Sequence, residues 1–281
     1  MSTAFHLGNQ LDIVPPDVII EASDGVLFYV HSHRLLALST NNFDSLLLSL
    51  PLNDILRMPE ASTIVNILIH SIYGLSSEHF RPSVHDVTTA VDAMHTYGLH
   101  VAALLAKGTP AFSLVLSVAP SCPLECFILA AKNELEDLAV AVSPYTLHMK
   151  LSDLTDTTAM RIGPIYLRRL FFLHLGRVEA LKRILLAPPG PDPDGHECGV
   201  FEQRRLRNAW TLAVGSLTWE PKPDLSNGAI DSALRPLAGH LTCQECKESL
   251  LDRIREILVQ WSLVKVGCLC KYQSGLILRE S

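Results

Sequence analysis

Two cysteine pairs, Cys243-x2-Cys246 and Cys268-x-Cys270, come nearest to a spacing that could do chemistry, because thiolates so placed can share a zinc ion. The stretch between them argues against one shared ion. Leu250, Leu251, Ile254, Ile257, Leu258, Trp261 and Val264 follow helical spacing, and a helix of about 20 residues holds its ends roughly 30 Å apart. Zinc–sulfur bonds of about 2.3 Å cannot span that distance. Two readings of the first pair stay open. One is a smaller metal site of His240, Cys243 and Cys246, completed by His196 or Cys198. The simpler one makes Thr242-x-x-Glu245 a capping box, with both thiols in the first helical turn. There the helix dipole would favour the thiolate.

The chain has 12 histidines, eight of them before residue 109, and none falls in a His-Glu-x-x-His or other one-face ligand spacing. His31 and His33 are expected where a strand meets a helix. His174 lies on an apolar stripe and is expected to be a satisfied interior or edge histidine. No Gly-x-Gly-x-x-Gly, Walker loop or Gly-x-Ser-x-Gly elbow is present. Acidic pairs such as Glu136-Asp137 read as surface charge. The expectation is therefore no catalytic residue, no bound metal and no cofactor.

What must position these residues is a globular chain. With 281 residues, 48% of them hydrophobic and 19% charged, it is long enough for two domains with real cores. The longest apolar run, near residues 111–119, is about half of what a membrane-spanning helix needs. The opening residues lack a basic and then apolar signal pattern, and there is no Asn-x-Ser/Thr site. A cytoplasmic or nuclear protein with mostly reduced cysteines is expected. The net charge of −6 falls on residues 1–108, which carry 4 basic and 10 acidic side chains. That balance argues against a nucleic-acid face there. Arg168-Arg169 and Arg204-Arg205 with Arg207 are the basic concentrations, and they read as solvated helix faces.

Residues 18–21 and 26–30 alternate as half-buried strands do, with Asp24-Gly25 supplying positive-φ residues for a tight hairpin. Helical spacing follows in Leu35, Leu36 and Leu38. It resumes in Phe43, Leu46, Leu47 and Leu50, with Asn41 or Asn42 as N-cap and Pro51 as stop. A third strand is predicted over 55–58. The next helix is predicted to begin at Pro59-Glu60, to bury Ile64, Ile67, Leu68 and Ile72, and to end at Gly74. Ser83-x-x-Asp86 opens a helix over 84–97 burying Val84, Val87, Val91 and Met94, and Gly98 closes it. Beyond Leu99 the pattern is helical throughout. Pro123 with Glu125 opens one helix, and Pro164 opens another whose stripe is Leu167, Leu170, Phe171, His174, Val178, Leu181 and Leu185. Further helices are predicted over 200–218, 230–237 and 244–264.

Several of these residues fall in a known order. Asp17-Val18 opens the first strand, Phe28-Tyr29-Val30-His31 ends the hairpin, and Leu35, Ser39 and Phe43 follow. A short strand, Pro59-Glu60-Ala61, a helix ending Tyr73-Gly74 and then Tyr97-Gly98-Leu99 complete the series. The stretch resembles the BTB/POZ fold, a protein-interaction module, and the chain is similar to fungal BTB proteins with a helical C-terminal region. The resemblance implies an α+β fold, a small sheet flanked by helices, followed by an all-helical region. It divides the chain into a BTB/POZ domain at 12–105, a BACK-like helical region at 109–187, a Pro/Gly-rich loop at 188–199 and a C-terminal helical region at 200–281. It also implies a non-enzymatic adaptor or scaffold with protein partners, self-association through the BTB domain and a cullin-type ubiquitin ligase as one partner. A BTB-dimerised chromatin or transcription regulator is the alternative. The implied motif residues are Asp17, His31, Leu35, Ser39, Phe43, Tyr73 and Gly74.

Departures accompany the resemblance. Ser32 stands where a basic residue often follows the histidine, Ser39 and Phe43 lie one residue further apart than usual, and the segment from Phe43 to Ile55 is short.

Overall fold

A hairpin and one crossover build the only sheet among the described residues. β1 (Val18–Glu21) pairs antiparallel with β2 (Leu27–Val30), matching Val18 to Val30 and Ile20 to Phe28. The alternation puts Ile20, Phe28 and Val30 inward, all buried. The computed structural model describes residues 1–9, 11–47, 55–189 and 200–267. Gly25, at φ 78°, makes the turn alone. Asp24 is not left-handed, contrary to expectation. Its carboxylate instead accepts from the Ser62 hydroxyl at 2.6 Å and from the Ser62 N–H at 3.3 Å.

α1 (Ser32–Leu38) follows β2 directly. The helix predicted from Phe43 onward is absent over residues 41–47. Asn42, Phe43, Asp44 and Ser45 all have positive φ, between 54° and 60°. Side chains upstream compete with the right-handed path: Ser39 Oγ accepts from the Phe43 N–H at 2.7 Å, and Asn41 Oδ1 from the Asp44 N–H at 2.9 Å. The turn drives Phe43 into full burial, stacked on Tyr97 with ring centroids 4.5 Å apart. Leu50 and Pro51 lie outside the described residues.

β3 (Ile55–Arg57) runs parallel to β1 on the side away from β2, giving the order β2-β1-β3. α2 (Ser62–Tyr73) begins three residues after the predicted Pro59 start. Glu60 is not in its first turn: its backbone carbonyl accepts from Ser23 N–H, and its side chain accepts from the Tyr97 hydroxyl at 2.7 Å. α2 is buried from Ile64 to Tyr73 on all sides rather than along one stripe, because α1, α3 and α5 all pack on it. Gly74, left-handed at φ 65°, ends it. α3 (Val84–Thr96) starts in the predicted capping box, Ser83 with Asp86, and buries Val87, Val91 and Met94 while Val84 stays half-buried. Gly98 follows, where an added Cβ would come within 2.5 Å of Asn41 Oδ1.

α4 (Val101–Leu104), α5 (Pro110–Val118), α6 (Pro123–Lys132) and α7 (Glu136–Val142) continue the first of two compact units, Met1–Tyr145 with Arg161–Gly163. α5 packs on α2 and α3, and α6 on α3. α8 (Asp156–Ile162) is followed by α9 (Pro164–Leu186), one unbroken helix through Gly176. The second unit, Thr146–Met160 with Pro164–Ser281, builds its core from α9, α10 (Val200–Trp219), α11 (Asn227–Leu234) and α12 (Gln244–Leu263). On α9, Leu170, His174, Leu181 and Leu185 are buried as the stripe predicts, but Phe171 is exposed. The helix expected over 230–237 starts earlier, at Asn227, and passes into a 3-10 turn at Arg235. The chain is thus predominantly helical with a small three-stranded mixed sheet. Among the described residues no helix is long and apolar enough to cross a membrane.

The left-handed turn carries strain, since a non-glycine residue there costs roughly 1–2 kcal/mol. Ser45 is exposed, so Ser45→Gly should raise stability by about 1 kcal/mol in urea unfolding. A loss of stability would show that residue 45 is not left-handed.

Candidate functional site

The hairpin's far end, where β2 hands over to α1, gathers most of the polar motif residues. Asp17 precedes β1 and donates its N–H to Val30 O at 3.1 Å. Its carboxylate accepts from the Ser32 N–H at 2.7 Å and the Ser32 hydroxyl at 2.5 Å. Burial pushes the Asp17 carboxyl up, but these bonds outweigh it and hold the pKa below its ordinary value.

His31, buried, is the N-cap of α1 and makes no cap bond with its side chain. The ring turns inward: Nε2 lies 2.8 Å from Val14 O and Nδ1 2.6 Å from the Tyr73 hydroxyl. A carbonyl can only accept, so Nε2 carries a hydrogen, and in the neutral ring Nδ1 accepts from the Tyr73 O–H. The same hydroxyl accepts from the His31 N–H at 2.8 Å. Burial raises the Tyr73 pKa to about 12, so the phenol keeps its proton. His33 and Arg34 both reach Asp12, at 3.1 and 2.7 Å, and Arg34 lies over the Tyr73 ring at 5.2 Å.

The remaining motif residues serve a second cluster. Leu35 is fully buried. Ser39 Oγ donates to Tyr97 O at 2.7 Å, and Ser39 bridges to Leu99. Phe43 stacks on Tyr97. Burial and the Glu60 carboxylate raise the Tyr97 pKa far above its ordinary value. Sequence reasoning missed Asp12 and Val14, which act across long sequence separations, and it placed Glu60 and Tyr97 in the pattern without pairing them.

The capping-box reading of the sequence does not fit the helix start. α12 begins at Gln244, one residue later than the capping box requires, and Cys243 is the N-cap, without a side-chain cap bond. Only Cys246 of the two thiols is in the first turn. Among the described residues no group of three or more histidine, cysteine or acidic side chains could hold a metal ion. His196, Cys198, Cys268 and Cys270 lie outside the described residues. Cys126, buried on α6, has its pKa raised to about 12 by burial, which makes it a poor nucleophile.

In the second unit, His174 is buried but not satisfied: its Nε2 has no hydrogen-bond partner, nor has Trp210 Nε1. Three residues on, Arg177 is 5% exposed and is held by carbonyls. Nε donates to Pro223 O at 2.5 Å, and Nη1 to Val264 O and Lys265 O at 2.9 and 3.1 Å. Its guanidinium sits 4.2 Å over Trp261. Arg177 therefore caps the C-terminal end of α12, where a cation meets the negative end of the dipole. It is a structural clamp.

No protein-family model, curated protein or solved structure matches this chain.

Two outcomes follow from the charges. The Arg34 hydrogen bond, the Ile13 N–H and His33 lower the Asp12 pKa from 3.8 to about 2. A depressed carboxylate stabilises fully above its unfolded value and loses that contribution as pH falls through its folded one. Carbon-13 titration should place the Asp12 midpoint near 2, and Arg34→Gln should return it toward 3.8. A wild-type midpoint already near 3.8 would refute the contact. Separately, Arg177→Leu removes the donors of three part-buried carbonyls and should destabilise the second unit by about 1–3 kcal/mol. All three tryptophans, Trp210, Trp219 and Trp261, lie in that unit, so their fluorescence reads it selectively. An unchanged denaturation midpoint would deny Arg177 the clamp role.

Proposed function

We propose that this chain is a non-enzymatic protein-interaction adaptor or scaffold of the BTB/POZ type. The observation that carries the reading is a closure between two halves of the pattern. Tyr73, which ends the second half, bonds both the backbone and the ring of His31, which ends the hairpin, at 2.8 and 2.6 Å. The order of elements supports it further: hairpin, short helix, third strand, then a helix ending Tyr-Gly, all in one sheet-and-helix unit. The polar atoms of Asp17, His31, Ser39 and Tyr73 are committed to neighbours inside that unit. What the unit offers outward is surface. In this reading the first unit self-associates and docks a cullin scaffold, and the following helices hold a further protein, in the cytoplasm or nucleus.

A second reading, a BTB-dimerised chromatin regulator, is favoured by one observation: Arg204, Arg205 and Arg207 are all exposed on α10. Its signature is salt-dependent DNA binding that charge reversal of those three arginines removes.

The adaptor reading predicts that the purified full-length chain captures a cullin at concentrations where an established BTB adaptor does so. Failure beside a working control removes the ligase role and leaves the general scaffold.

A further inference from the structure

α9 is apolar on two opposite sides, and its own unit covers one of them. On the inner side Leu181, Ile184 and Leu185 join the core shared with α10 and α12, and Leu170, Leu173 and Arg177 are buried on the same side. At about 3.6 residues per turn, Ile165, Arg168, Phe172, Leu175 and Glu179 fall in line on the other side. Ile165 is 57%, Phe172 62% and Leu175 52% exposed, with Phe171 exposed at the margin. A helix that is apolar on both sides is one that is buried on both sides.

The charges on this outer face say what covers it. Arg168 stands four residues before Phe172, and Glu179 four residues after Leu175. A half-turn rotation about the midpoint of the row therefore places each Arg168 on a Glu179 and each Phe172 on a Leu175. A parallel pairing would set Arg168 against Arg168 and Glu179 against Glu179, which like charges oppose. Both groups are open to such contact. Arg168 lies over the Phe172 ring at 5.6 Å, and the Glu179 side chain, which holds Lys182 at 3.2 Å, is 72% exposed. Gly176, on the same face, is exposed, and an added Cβ there would meet nothing within 4 Å. Glycine weakens a helix interior relative to alanine, so packing inside the chain does not account for it. The exposed parts of the four apolar side chains come to on the order of 400 Å², and the stems of Arg168, Glu179 and Lys182 extend the patch toward the ~800 Å² per partner of a stable dimer.

We propose that two copies of this chain pair through the outer faces of α9, antiparallel about a two-fold axis level with the Leu173–His174 peptide. Phe172 of each copy packs on Leu175 of the other, Arg168 meets Glu179, Ile165 lies along the Lys182 stem and Phe171 covers Gly176. The contact belongs wholly to the second unit. It goes beyond the adaptor reading and is separate from the self-association proposed for the first unit. Two different two-fold contacts on one chain build assemblies larger than a dimer.

The test measures the mass of the full-length chain by sedimentation equilibrium at tens of micromolar. Arg168→Glu sets carboxylate against carboxylate at both ends of the pair, and Glu179→Arg sets guanidinium against guanidinium. Either variant alone should associate through α9 about tenfold or more weakly than wild type. Mixed in equal amounts, the two restore both ion pairs, and the mass should return to the wild-type value. Leu175→Glu, at the centre, should lower the mass and not be rescued by either. All three positions are exposed, and native circular dichroism checks that each variant folds. Equal masses for wild type, variants and mixture overturn the proposal, whether that mass is a monomer's or that of a dimer made by the first unit alone. So does a loss of mass in both charge variants that mixing does not restore.

Discussion

One phenol holds the first unit's polar frame together. The Tyr73 hydroxyl takes the His31 N–H and bonds the His31 ring at Nδ1, while the other ring nitrogen holds Val14 O. Three stretches distant in sequence are pinned by one side chain on each of two elements: the approach to β1, the start of α1 and the end of α2. The carbonyl of Val14 can only accept, so the His31 Nε2 facing it carries a hydrogen, which fixes the tautomer of the neutral ring. Burial that keeps the phenol protonated is part of the same arrangement. Each partner satisfies a polar group that would otherwise be stranded, and such groups are costly when buried alone.

Features written in local patterns were legible in the sequence. The hairpin is signalled by alternation and Gly25, α3 by Ser83 and Asp86, and α9 by a stripe that ignores Gly176. What was not legible depends on groups that meet only after folding. Asn41 looked like an N-cap. Together with Ser39 it instead captures the N–H groups of Asp44 and Phe43, and the chain turns left-handed. Glu60 looked like a first-turn acid, yet a tyrosine 37 residues away claims it. His174 reads as a satisfied core residue from its stripe, while its Nε2 is an orphan. Periodicity tells which face is inward but not whether a polar atom there finds a partner.

The second unit solves a different problem. Its helices present apolar faces that need little direction, and the core of Leu181, Trp210, Ile230, Leu250 and Trp261 supplies cohesion. Direction comes from Arg177 and from the Trp261 Nε1, which donates to Leu225 O at 2.7 Å. Both use side chains to seal backbone carbonyls at the margins of that core, so the loop before α11 and the end of α12 are fixed to the same helix.

The left-handed run at residues 42–45 bears on what substitutions the chain tolerates. Branched β-carbons collide with the backbone in that conformation, so valine, isoleucine and threonine are barred from four consecutive positions, whatever their polarity. Phe43 is further confined by the stacked tyrosine, and Gly98 across from it has no room for even a methyl group. Mirror-image residues meet no such penalty. A chain assembled by peptide ligation with D-alanine at 45 would adopt the turn more readily than the natural one, an unusual case in which the opposite handedness suits the native backbone better.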